Sequence, residues 1–136
     1  MKFFVVVLST FFTLSGCDIA LMRPPPPPLG TQLTGDEVKS LFTGSSLVRN
    51  EDEVPPLVVF FGEDGELKGL RSNKYTDTGT WRIDGDSVCG AWKNWYGTLS
   101  RCWEVYRSGD NFTLKQAERS EALRAKLAAG NLAIRK

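Results

Sequence analysis

Three turn signals at nearly even intervals constrain this chain more than anything else in it. Asp64-Gly65, Asp84-Gly85 and Ser108-Gly109 each separate two short runs rich in β-branched and aromatic residues. A short turn pair of this kind between apolar runs is a hairpin signature, because the favoured two-residue turns need positive φ at positions that Gly and Asp tolerate. The runs they join are residues 57–61 and 66–70, 79–83 and 87–92, and 101–107 and 111–115. Successive hairpins predict a mainly β domain, an antiparallel meander of about six strands. Such a sheet must bury one face and dispose of two edges, and curling into a small barrel or half-barrel does both.

One helix is expected before the strands and one after. Thr34 and Glu37 stand at capping-box spacing, with Leu33 and Val38 placed as a hydrophobic staple. Val38, Leu41 and Phe42 share a face and Gly44 can end the turn, which gives a helix over residues 35–43. Over residues 116–129, Leu123 and Leu127 are one helical turn apart, alanines favour helix and Gly130 can stop it. In the last hairpin, a two-residue turn at Ser108-Gly109 pairs Val105 with Phe112 and Trp103 with Leu114, all on one face.

The segment ahead of this domain reads as a leader and a tether. Lys2 is followed by an apolar run over residues 3–14 and then Leu14-Ser15-Gly16-Cys17. That is the order of a secretory signal, and the run is short of the roughly 20 residues a spanning helix needs. The tetrapeptide resembles the lipobox of bacterial lipoproteins. The resemblance implies cleavage after Gly16, a diacylglyceryl group on the Cys17 sulfur and a further acyl chain, such as palmitate, on its new amino group. Several chains anchor a protein durably, since each buried methylene contributes about 0.8 kcal/mol. Pro24 to Pro28 form a polyproline spacer of roughly 15 Å. Asp18 follows the lipidated position, and in enterobacterial lipoproteins an aspartate there marks retention in the inner membrane. The expected destination is therefore its periplasmic face, with the outer membrane as the other option. Residues 1–16 are the leader, 17–30 the anchored Pro-rich linker and 31–136 one small domain.

With Cys17 assigned to lipid, Cys89 and Cys102 remain as a pair in an oxidising compartment. Their strands are neighbours joined by a loop over residues 93–99, so a structural disulfide is expected, stabilising by roughly 3 kcal/mol in the chain-entropy model. Seventeen basic side chains face sixteen acidic ones, and loss of Lys2 with the leader brings the two to parity. No basic excess is left for nucleic acid. The chain has no histidine, so no zinc set and no ordinary serine or cysteine triad can be built. No cofactor or metal is expected.

A wider resemblance rests on residues 33–44, Asp64-Gly65, Gly79-Thr80-Trp81, Cys89 and Cys102-Trp103-Glu104-Val105-Tyr106. In that order they resemble a family of small secreted bacterial proteins with a leading helix, a strand meander and a cysteine pair. The resemblance implies fold and compartment, and no activity. The curled meander itself resembles the calycin barrels.

Two further features bear on function. Asp77-Thr78-Gly79-Thr80 is similar to the signature loop of aspartic proteases, in which two aspartates share a proton. Here the preceding Lys74-Tyr75-Thr76 is polar where that family is apolar, and the later supporting segment is not found. The competing reading is a polar turn leading into a strand at Trp81. Trp95 and Tyr96 fall in the loop, and exposed loop aromatics are candidate contacts for an envelope protein or a small ligand. The sequence thus reads as a membrane-anchored, non-catalytic binding or structural module of the bacterial envelope. An aspartic-type peptidase using Asp77, or an inhibitor of secreted proteases, are the alternatives.

Overall fold

A computed structural model describes residues 29–49, 56–119 and 121–134. The leader, Cys17, the proline run and the acidic stretch Glu51-Asp52-Glu53 lie outside the described residues. In chain order the elements are β1 (Thr31–Gln32), α1 (Gly35–Phe42), β2 (Ser45–Arg49), β3 (Leu57–Phe61), β4 (Glu66–Arg71) and β5 (Tyr75–Asp84). They continue with β6 (Ser87–Trp92), a short 3-10 turn over Trp95–Thr98, β7 (Arg101–Ser108), β8 (Asn111–Lys115) and β9 (Ala122–Ala129).

From β2 to β9 every strand pairs antiparallel with its sequence neighbours, and β9 returns to pair with β2. Eight strands therefore close into an up-and-down barrel with no free edge. β1 adds two pairs to the outer end of β7, Thr31 with Arg107 and Gln32 with Tyr106.

Closure depends on two strands that the sequence reading did not isolate, β2 and β9. The expected second helix is β9. Leu123, Ala125 and Leu127 alternate with Arg124 and Lys126, so the spacing that suits a helix face also suits a strand face. The Ala-rich segment has helix propensity, but as a strand it pairs along its length with both β2 and β8, and that tertiary pairing prevails. Gly130, at φ 83°, turns the chain out of the barrel rather than capping a helix. The segment after it packs outside β2: buried Ser46 donates to the Gly130 carbonyl at 2.7 Å and accepts from Leu132 N–H at 3.0 Å.

The last hairpin also corrects the expected register. Ser108 pairs with Asn111 across Gly109-Asp110, so Val105 faces Leu114 and Arg107 faces Phe112. The shift is two residues, which leaves every side chain on its expected face. At the other disputed point, Asp77-Thr78-Gly79-Thr80 is no turn. It lies inside β5, which starts at Tyr75 after a tight turn with Ser72 and Asn73 at φ 53° and 54°.

The first helix forms as its sequence dictates. The Thr34 Oγ1 accepts from Glu37 N–H, and the Glu37 carboxylate accepts from Thr34 N–H. Gly35 N–H donates to Asp86 Oδ1 at 2.9 Å, which ties the helix start to the turn between β5 and β6. Val38 and Phe42 are fully buried, and the Phe42 ring meets Phe61 at 5.0 Å and Phe112 at 6.0 Å between centroids. α1 is thus a plug in one end of the barrel.

Cys89 and Cys102 stand directly opposite in the β6–β7 ladder and are bonded to each other. Cys89 is buried and Cys102 exposed, on the outward face beside Asp84. The bridge spans a separation of 13 residues, enough to restrict the unfolded chain by about 3 kcal/mol. Because its sulfurs are bonded to each other, the Asp84–Cys89–Cys102 group has no thiolate to offer a metal.

Candidate functional site

Opposite the α1 plug the barrel stays hollow. Alternation along the strands sends Leu47, Leu57, Val59, Phe61, Leu67, Val88 and Leu114 inward, and they line a cavity of about 530 Å³. That volume lies within the range of about 300–1,000 Å³ usual for small-molecule sites, and the wall has their composition of apolar side chains with a few polar groups. Those polar groups gather at the mouth: Arg49 at the end of β2, Arg101 at the start of β7, and Gln116, Arg119 and Glu121 between β8 and β9.

One side of the mouth is built by the link from β6 to β7, and Asp77 holds that link in place. Its buried carboxylate accepts from Asn94 N–H at 2.9 Å, Asn94 Nδ2 at 3.0 Å and Trp95 N–H at 2.8 Å. Burial alone would raise its pKa. The donors from Asn94, Trp95 and Thr78 outweigh burial and hold it below the ordinary carboxylate value. Asp77 is therefore an ionised anchor for the loop.

The structure separates the two loop aromatics. Trp95, a candidate for exposure by its place in the loop, is instead buried, its ring 4.8 Å from Trp92 and covered by the Arg71 guanidinium at 5.2 Å. Space for both indoles comes from Gly69 on the facing stretch of β4, where an added Cβ would sit 2.7 Å from Trp92 Cη2. Tyr96 is 41% exposed and lines the cavity, with Arg101 stacked 5.0 Å from its ring centre. Its φ of 55° and ψ of 28° are left-handed, an uncommon state for a residue with a side chain. The Asp77 contacts on Asn94 and Trp95 hold the backbone immediately before it, and strain of this kind persists where surrounding structure enforces it.

Sequence reasoning named Asp77 and Tyr96 but missed the wall and the three arginines. A cavity needs the closed ring, and the strand that closes it, β9, has a spacing that also suits a helix. Lipid attachment at Cys17 lies outside the described residues. Comparisons with protein families, with curated proteins and with solved structures return no match for this chain.

Proposed function

We propose that this protein is a lipid-anchored module of the bacterial envelope whose calycin-like barrel binds a small, largely apolar ligand and performs no reaction on it. The observation that carries the reading is the cavity of about 530 Å³, apolar in its wall, plugged by α1 at one end and rimmed by polar groups at the other. Tyr96 is the rim contact at the mouth, in keeping with its exposure and its place in the lining. The Asp77 carboxylate, engaged by Asn94 and Trp95 and held ionised, is poorly suited to the shared-proton role of a peptidase dyad. A disulfide agrees with an oxidising, extracytoplasmic compartment.

Uptake is tested with a polarity-sensitive naphthylamine dye. Saturable enhancement is expected with the wild type and its loss with Leu123→Trp, because Leu123 lines the cavity and is only partly buried, leaving room for the indole. Equal enhancement by both proteins, with the variant folded, defeats the reading.

Anchoring rests on the Leu14-Ser15-Gly16-Cys17 segment, and among the described residues no helix is long and apolar enough to cross a membrane. Mass spectrometry of the mature N-terminus is expected to show a triacylated Cys17, and Cys17→Ala to leave the leader attached. An unmodified Cys17 in the wild type rules the anchor out.

A further inference from the structure

We infer that the ligand is a single-chain anionic amphiphile, its hydrocarbon tail inside the barrel and its acidic head at the mouth on Arg101 and Arg119. This rests on the cavity reading above and adds the chemical class. Two features of the molecule point to it.

The first is the composition of the rim. Arg101 and Arg119 line the cavity beside Gln116, which can donate to an oxyanion, and Glu121 is the single acidic side chain in the lining. Among the described residues the ion pairs within 4.0 Å are Lys68–Glu66 and Arg82–Asp84, both away from the mouth, so neither rim guanidinium has a carboxylate partner there. Arg101 instead rests over the Tyr96 ring. Stacking leaves the guanidinium edge and its donors available, and those donors match a carboxylate in paired geometry. An apolar wall below and arginine donors above are two complementary halves of a site for one amphiphilic molecule.

The second is a charge polarity along the barrel axis. Among the described residues, the strand ends and turns at the mouth carry Arg49, Arg71, Lys74, Lys93, Arg101, Lys115 and Arg119 against Asp77, Glu118 and Glu121. The plugged end carries Asp36, Glu37, Asp64, Asp84, Asp86 and Asp110, with Glu63 and Glu66 in the turn after β3, against Lys39, Arg82 and Arg107. The described part of the barrel is thus basic around its opening and acidic at its base. Such a distribution steers an anion toward the mouth and away from the plug. It also disfavours a cationic amphiphile, which would meet like charge at the rim.

Contact quenching tests the inference, because Trp92 and Trp103 line the cavity and a bromine carried on a chain bound inside it is held close to them. The full chain carrying Cys17→Ser is placed in phosphatidylcholine nanodiscs. It is titrated with ω-bromoundecanoate, with the matching alcohol and with the matching trimethylammonium compound. The expected result is saturable quenching by the carboxylate with an affinity about tenfold above the alcohol, the scale of one charge-assisted contact. Arg101→Gln/Arg119→Gln, folded by circular dichroism, is expected to bring the carboxylate down to the affinity of the alcohol, while Lys39→Gln at the plugged end changes nothing. Equal affinities for carboxylate and alcohol, preference for the cation, or an unchanged carboxylate affinity in the double variant overturns the anionic assignment and leaves the cavity reading standing. Quenching by none of the three probes overturns both.

Discussion

Replacing Phe42 with alanine is expected to lower the stability of the barrel by about 3–5 kcal/mol. Phe42 is fully buried, and its ring is the centre of an aromatic stack: Phe61 at 5.0 Å, Phe112 at 6.0 Å, and Trp81 reached through Phe61 at 5.3 Å. Alanine removes the ring but not the space, since β3 and β8 are fixed by their ladders and cannot collapse inward to fill it. The loss also reaches the cavity, because Phe61 is both a neighbour of Phe42 and part of the cavity wall. Domains of this size hold only about 5–15 kcal/mol in total, so the variant should melt well below the wild type. Phe60→Ala is the control. It lies on the same strand but faces outward and is half-buried, and a cost of about 1 kcal/mol is expected. Equal costs for the two substitutions in urea titrations would show that α1 and its stack are not the keystone of the plugged end.

How much was legible follows a physical divide between local and long-range information. α1 was readable because its signals are local: the Thr34–Glu37 box and the Val38–Phe42 face act within three turns of backbone. The central hairpins were readable because their glycines and aspartates act on adjacent residues. The Cys89–Cys102 pairing followed from neighbouring strands, and the ladder places the two directly opposite. The fate of residues 122–129 was decided elsewhere. Leu123 and Leu127 are four apart, a spacing that serves both periods, and only the presence of β2 beside β8 makes the strand the better solution. Without β9 as a strand the ring does not close and encloses no cavity. Trp95 failed for a related reason. The loop was located correctly, but the partners that bury Trp95, namely Asp77 on β5, Gly69 on β4 and Trp92 on β6, are up to 26 residues away in sequence. Asp77 was singled out for its neighbours in sequence, whereas its role comes from neighbours in space.

That role yields the second large effect. At neutral pH, Asp77→Asn is expected to cost about 2–4 kcal/mol, because one amide oxygen cannot accept from Asn94 N–H, Asn94 Nδ2 and Trp95 N–H together, and the new amide N–H₂ opposes one of those donors. The pH dependence has a fixed sign. Burial would raise the Asp77 pKa, but the Asn94, Trp95 and Thr78 donors prevail and the folded value lies below the unfolded one, about 3.9 for an aspartate. A group with a depressed folded pKa contributes its full stability above the unfolded value and loses it as pH falls through the folded one. The stability gap between wild type and variant should therefore be constant from neutral pH down to about 5 and close progressively below about 4. Other carboxylates titrate in both proteins and cancel in the difference. The loop that Asp77 releases also carries Tyr96 in its left-handed conformation at the cavity mouth, so dye affinity should fall in the variant while the barrel remains folded at neutral pH. A gap that stays constant to about pH 2, or a variant with unaltered uptake, would separate Asp77 from both the fold's acid sensitivity and the shape of the opening.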